Sequence, residues 1–387
     1  MGQTPLPFSR PSIGEEEIQE VVEVLRSGWI TTGPRVQRFE QEFAEYLGVP
    51  HALAVTSCTA GLHLALLAHG IGPGDEVITP AMTWPATANA VEFVGARPVF
   101  ADVDPGTLQA TPKTLEAALT RATRAILPVH FAGQACDLDG IAELARSRGL
   151  LVIDDAAHAV GTEHRGLRIG AGGNTTCFSF HPIKNMTTGE GGMITTADAE
   201  LAERLRLLRF HGVSRDSWAR YSDTNAVRYE TLLPGFKYNL TDIQAALGIH
   251  QLAKLDGFIE RRAQLAAAYM DELSDVDVLS LRTRSPHTTR HAWHLFVVNL
   301  VLERVDCDRD RFMALLGERG IGTGLHFTTV HLHRYYRDRY GYKEGDLPHA
   351  EYASESVFSL PLFPDMQDSD VGRVCDTIRQ VAEEVRR

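Results

Sequence analysis

The sequence predicts an α/β fold: a large, doubly wound, mostly parallel sheet domain over residues 1–255, followed by a smaller α+β domain over residues 256–387. Three observations predict it. From residue 52 onward, short β-prone runs alternate with helical stretches, which is the order of βαβ units. The run Leu150-Leu-Val-Ile-Asp-Asp155 is continuously apolar and ends in two carboxylates, as a parallel strand buried on both faces does when its carboxyl end opens on a crevice. Beyond a long helix starting near residue 243, the alternation gives way to two isolated strands and two helices, the content of a separate, smaller unit.

In chain order, residues 12–27 carry apolar side chains at 18, 21, 22 and 25 with glutamates in the first turn, an amphipathic helix whose acids complement the dipole. Gly28 ends it. Trp29-Ile-Thr-Thr-Gly33-Pro34 is a turn-rich loop exposing an aromatic and two hydroxyls, and it reads equally as a domain-packing turn or as a ligand-gripping loop. Val36 to Leu47 is a second helix. Ala52 to Thr56 is the first strand, and Ser57-Cys58-Thr59-Ala-Gly61 opens the helix Leu62 to His69. Hydroxyls and free N–H groups at a helix N-terminus make an anion site suited to a phosphate monoester, although Ser and Thr there are also ordinary caps.

Glu76 to Pro80 is the next strand, and Thr83-Trp84 follows at its carboxyl end, where the indole either joins the core or stacks on a flat heteroaromatic ring. Strands at Pro98 to Asp104 and Ala125 to His130 flank a capped helix from Thr111 to Leu119, and Ile141 to Arg148 is a helix leading into the Asp155 strand. Ala197 to Phe210 predicts a helix. Residues 213–235 are polar and irregular, a candidate active-site loop or subunit-contact arm. Gly235 to Asp242 then caps a long helix with one expected break near Asp256-Gly257. The smaller domain comprises a strand His294 to Val301, a helix Arg309 to Arg319, a strand near Gly322 to Phe327 and a terminal helix Asp368 to Arg386.

The chemistry concentrates in Ser179-Phe-His-Pro-Ile-Lys184-Asn-Met-Thr-Thr-Gly-Glu-Gly-Gly192, whose flanks Cys177 to Phe180 and Met193 to Thr196 are β-prone. Lys184 is thereby lifted onto a tight loop between two buried strands. Burial disfavours the ammonium form, so an amine placed there serves as a nucleophile toward an aldehyde or as a proton carrier. Either Asp154 or Asp155 can cap the following helix, but two caps are not needed. The carboxylate left over requires a positive partner. If that partner is a protonated pyridine nitrogen, Asp155 and Lys184 together describe pyridoxal phosphate chemistry, with lysine on the aldehyde carbon and aspartate on the ring nitrogen.

Composition excludes several alternatives. With 387 residues, 44% apolar and 23% charged, the chain is an ordinary globular one, and its net charge of −12 argues against nucleic acid or an anionic membrane as partner. No apolar run approaches ~20 residues and the start lacks a basic, apolar leader, so neither a span nor a signal peptide is expected. The five scattered cysteines have no metal-ligand spacing and fit a reduced, cytoplasmic protein. His326, His331 and His333 cluster without a helical His-x-x-x-His pair, so no metal site is expected.

Taken together, Ser57-Cys-Thr59, Thr83-Trp84, Asp155-Ala-Ala-His158, Ser179-Phe-His-Pro-Ile-Lys184 and Gly189-Glu-Gly-Gly192 resemble the sugar aminotransferases of the DegT/DnrJ/EryC1/StrS family, along essentially the whole chain. The resemblance implies the fold type I architecture of pyridoxal phosphate enzymes. It implies that Lys184 and Asp155 are catalytic, that Trp84 stacks on the cofactor ring, and that His158 sits near the ring hydroxyl. Ser57, Cys58 (through its backbone N–H), Thr59 and Ser179 would hold the phosphate, with Asn239 reaching it from the other subunit of a homodimer. Trp29, Ile30, Thr31, His181 and His326 would lie toward the substrate.

Ser27 to Pro34, Lys237 to Asp242, His291 to Phe296, Gly320 to Phe327 and Ser359 to Met366 are most similar to family members that act on a UDP-linked 4-keto pentose in lipid A modification. The implied reaction transfers the amino group of L-glutamate to a 4-keto sugar nucleotide, giving 2-oxoglutarate. Alternatives are a 3-keto or other keto-sugar acceptor on dTDP or GDP, and a non-catalytic sugar-binding member. A sugar dehydratase of the same fold has histidine in place of the lysine, and Lys184 argues against it.

Overall fold

The computed structural model describes residues 4–213 and 230–387. Its centre is a seven-stranded sheet in the order His51–Val55, Gly192–Thr196, Thr175–Ser179, Leu151–Asp155, Thr123–Ile126, Glu76–Pro80, Arg97–Ala101. Only Gly192–Thr196 runs antiparallel to its neighbours, so the sheet is mixed but mostly parallel, as expected. Helices cover both faces. Cys58–Ala68 buries nearly all its side chains on one face, and Pro34–Leu47 places Phe39 and Phe43 against Phe178 and Phe180 on the other. Burial on both sides is why apolar residues such as Val77, Ile78, Val152 and Ile153 follow one another without alternation in the central strands.

The remaining described residues build a smaller unit. A three-stranded sheet, Leu279–Leu281, Phe296–Leu300 and Val357–Leu360, packs against the helices Arg309–Glu318 and Asp368–Val385. The N-terminal segment crosses to this unit: Leu6 lies in its core, donates to the Gly320 carbonyl at 2.9 Å and accepts from Gly322 N at 2.8 Å. Among the described residues, no helix is long and apolar enough to cross a membrane.

Two expectations are corrected. The helix Asp242–Glu272 is continuous for 31 residues, without a break at Asp256-Gly257. Gly257 costs a helix about 1 kcal/mol relative to alanine, which is small beside the burial of Leu252, Leu255, Ile259 and Arg262 around it. Elsewhere in that helix glycine is required, since a Cβ at Gly248 would come within 2.7 Å of the Phe39 ring. Secondly, Gly322 to Phe327 is not a strand. Among the described residues it makes one isolated bridge, Gly324 to Ser359, with a second just before it from Leu6 to Ile321, and it packs against Phe8 instead of joining a ladder. The greater part of the candidate loop at 213–235 lies outside the described residues.

Candidate active site

The strand Leu151–Asp155 delivers Asp155 to the carboxyl edge of the sheet, where the parallel strands end and the crevice opens. The carboxylate is 5% exposed. Its oxygens accept from the Thr87 hydroxyl at 2.8 Å and from Ala157 N–H at 3.0 Å, both neutral donors. Burial pushes its pKa up, opposed by those two hydrogen bonds and by the charge on Lys184. A buried carboxylate held only by neutral donors gains most from a cation brought to it.

Lys184 stands on the loop between the antiparallel strands Thr175–Ser179 and Gly192–Thr196, whose register pairs Ser179 with Gly192. The loop is tied down on either side of the lysine's backbone: Lys184 N–H donates to the His181 carbonyl at 2.9 Å, and the Asn185 amide donates to the Ala292 carbonyl at 2.6 Å. Burial lowers the Lys184 pKa from 10.5 to about 8, with Asp155 and the Cys58 sulfur pulling the other way. About a tenth of the amine is therefore unprotonated at pH 7, against a far smaller fraction for an ordinary lysine, and this is the form that attacks a carbonyl.

One cavity of about 430 Å³ is lined by Ser57, Cys58, Thr59, Trp84, Asp155, His158, Ser179, His181, Lys184 and His326. Ten of the expected site residues thus converge. Ser57 caps the helix Cys58–Ala68, its hydroxyl accepting from Ala60 N–H at 3.1 Å, so the first N–H groups of that helix face the cavity beside Thr59. The sheet passes tightly beneath this turn: a Cβ at Gly192 would lie 2.7 Å from Cys58 N. The Cys58 thiol lies 4.0 Å from Asp155 and is held protonated by burial and by that carboxylate. Ser57→Ala removes a cap worth about 1 kcal/mol and should lower the melting temperature while weakening retention of a phosphorylated ligand, measured by thermal denaturation and ligand titration.

Trp84 is 63% exposed at the cavity rim, which decides between its two readings: it is not a core residue. His158 is buried, and burial with the Lys184 charge drives its pKa well below 6.5, so the ring is neutral. Its Nδ1 accepts from Ala132 N–H at 3.3 Å, which puts the proton on Nε2 as a donor. His326 is likewise held neutral, its pKa lowered to about 3 by burial and Lys184, and its Nδ1 lies 3.0 Å from the Ser359 hydroxyl.

Four expected residues lie outside this cavity. Trp29, Ile30 and Thr31 are on the surface; the indole donates to the Thr32 carbonyl at 3.0 Å, and the Thr31 carbonyl accepts from Asp242 N–H at 3.0 Å. Asn239 is buried beside the strand His51–Val55 and bonds Thr32 and Lys237. Conversely, the sequence reading overlooked Thr87, whose position four residues after Thr83 puts the two hydroxyls 2.7 Å apart, and Phe327, which stacks on His158 at 5.8 Å. It also gave no role to His294, whose ring centre is 4.3 Å from that of His158 and whose two nitrogens have no partner among the described residues.

An amine, a buried carboxylate awaiting a cation, an exposed indole and a phosphate cradle in one cavity form a donor set that fits a phosphorylated pyridine aldehyde. Comparison with known proteins agrees. The DegT/DnrJ/EryC1/StrS aminotransferase family matches residues 11–379. The chain is 49% identical over 378 residues, 97% of either protein, to the spore coat polysaccharide biosynthesis protein SpsC of Bacillus subtilis (strain 168). Among solved structures it is similar to S. venezuelae DesV in complex with a ketimine intermediate, at 38% identity and a TM-score of 0.89 over 98% of this chain and 99% of that one. It is also similar to the PLP-form of Spr1654 from Streptococcus pneumoniae, at 31% identity and a TM-score of 0.90 over 98% of this chain and 99% of that one.

Proposed function

Because the chain belongs to the DegT/DnrJ/EryC1/StrS aminotransferase family, whose members use pyridoxal phosphate, we propose that it moves the amino group of L-glutamate onto the 4-keto group of a sugar nucleotide, favouring a UDP-linked pentose. The products are 2-oxoglutarate and a 4-amino sugar nucleotide. The observation that carries this reading is the convergence of Lys184 and Asp155 on one cavity, the amine with its pKa lowered to about 8. The likeness to a spore coat polysaccharide protein supports a sugar destined for a cell-surface polysaccharide.

When bound, pyridoxal phosphate supplies an electron sink for the charge left when a proton leaves carbon. The chain's own residues do the rest. Lys184 Nζ takes the α-proton of glutamate in one half-reaction and returns a proton to the sugar carbon in the other, a transfer worth about 10²–10⁴-fold. Asp155 holds the proton on the pyridine nitrogen. Trp84 would border the ring, and His158, with its proton on Nε2, would offer a donor to the ring hydroxyl. Ser57, Thr59, Ser179 and Cys58 N–H take the phosphate, and His181 and His326 border the space left for the sugar.

The exposed Trp29 to Thr31 loop, with Asn239 buried behind Thr32, would complete this reading in a homodimer in which the loop of each chain closes the partner's site. We place the two domains at residues 1–255 and 256–387, bridged by the continuous helix Asp242–Glu272.

L-Glutamate added to the holoenzyme should convert the visible absorbance of the bound cofactor to that of its amine form. A panel of 3-keto and 4-keto sugar nucleotides on UDP, dTDP and GDP should then show fastest reconversion with the UDP 4-keto pentose. An unchanged spectrum with glutamate would overturn the aminotransferase reading, and faster reconversion by another sugar would overturn the acceptor.

A further inference from the structure

Outside the cofactor cavity, three segments far apart in sequence bring Asp137, His164 and His287 together. One ligand atom from each, a carboxylate oxygen or a ring nitrogen, lies within 4.8 Å of the other two. None of the three lines the cofactor cavity. We propose that they bind a single divalent transition ion of zinc's class, with water completing the coordination.

The site is built before any ion arrives. His164 ends the short strand Glu163–His164, which pairs with Thr288–Arg290 so that Thr288 faces His164. The His287 carbonyl accepts from Arg165 N–H at 3.1 Å, and the Thr288 hydroxyl accepts from Ala135 N–H at 2.9 Å. The two imidazoles are held nearly parallel, 6.0 Å between centres at 20°. Asp137 is fixed as the cap of the helix Leu138–Arg148, accepting from Gly140 N–H at 3.2 Å.

Two observations point to a ligand and not merely to crowding. His164 is 6% exposed, and its Nε2 is sealed from solvent with no hydrogen-bond partner among the described residues. A buried polar nitrogen without a partner is costly, and such groups in native proteins commonly mark an ion or water site. In addition, His287 Nδ1 and Asp137 Oδ1 stand 3.5 Å apart. Tetrahedral zinc with bonds of about 2.0–2.1 Å sets adjacent ligand atoms about 3.3 Å apart, so that edge already has the needed length, and the others close with a shift of about 1 Å or somewhat more. Two imidazoles and a carboxylate form a donor set suited to zinc-class ions and not to magnesium or calcium, which take oxygen. Nearby Arg165 is engaged by Asp139 at 2.9 Å, so its charge is compensated.

Such an ion would clip the helix start, the hairpin and the 285–290 segment that leads into His294, the residue against His158.

The test uses the holoenzyme, stripped with a chelator and titrated with zinc alone by calorimetry, with metal content measured after dialysis. One zinc per chain and a raised melting temperature are expected. His287→Ala should bind at least about tenfold more weakly, since even outer-shell partners cost that much. Asp137→Asn, which keeps the helix cap, should do the same. Both variants should keep the wild-type melting temperature without metal and the spectral response to glutamate, so a loss of zinc binding would not reflect misfolding or failure of the active site. Less than one zinc per wild-type chain, or variants that bind zinc like the wild type, would overturn the proposal.

Discussion

Lys184→Ala should abolish transamination, lowering turnover by at least about 10²–10⁴-fold, with the visible band of the lysine-bound cofactor lost while phosphate contacts still retain some cofactor. The reason is positional: among the described residues, no other amine lines the cavity. A second consequence concerns stability. In the cofactor-free protein burial lowers the Lys184 pKa from 10.5 to about 8, so the folded state carries fewer protons than the unfolded one between those values. Stability therefore rises with pH from about 8 to 10.5, and the full penalty, about 3 kcal/mol, applies below that window. Lys184→Met should remove this pH-dependent part and stabilise the cofactor-free protein at pH 7 by less than that amount, because Asp155 loses an attractive neighbour. Denaturation midpoints of wild type and variant across pH 7–11 give the comparison; parallel curves would contradict the assignment of a buried, depressed amine.

Asp155→Asn should act with opposite signs in the two forms of the protein. With cofactor bound, the change removes one partner of a buried charge pair and should cost the holoenzyme about 3–5 kcal/mol of stability. Without cofactor, burial of the carboxylate outweighs its hydrogen bonds from the Thr87 hydroxyl and Ala157 N–H and the charge on Lys184, and its pKa is raised. A raised folded-state pKa means that stability is greatest at low pH and is lost as pH rises through it. Asparagine removes that loss and should make the cofactor-free protein more stable at pH 7. Chemical denaturation with and without added pyridoxal phosphate checks both signs; destabilisation of both forms alike would show that Asp155 is a structural group and not the cofactor's counter-charge.

Much of this was legible in the chain because the governing patterns are local. A buried parallel strand must be a continuous apolar run whose carboxyl end opens on the crevice, so Leu150 to Asp155 alone placed a carboxylate there, while the choice of Asp155 over Asp154 came from the family resemblance. Lys184 was legible for the same reason, standing on a short polar loop between two β-prone segments. The cap at Ser57 followed from a hydroxyl beside an apolar helix. Local pattern misled where tertiary packing outweighed it. Gly257 looked like a break, but the buried faces on either side hold the helix Asp242–Glu272 straight through it. Gly322 to Phe327 looked β-prone, but Phe8 and the Leu6 backbone crowd it and leave isolated bridges.

The sequence by itself determined the sheet strand that ends in Asp155 and the lysine loop, since each rests on periodicity and side-chain chemistry within some fifteen residues, and the class of chemistry followed from the family resemblance of motifs spread along the chain. Only the tertiary structure decided that Trp84 is exposed at the cavity rim and that Thr87 props the aspartate. It alone brought His294 against His158, and Asp137, His164 and His287 together across 150 residues of chain. Those contacts join segments whose separation in sequence carries no periodic signal, so they exist only once the sheet and its crossover helices have fixed where each segment ends.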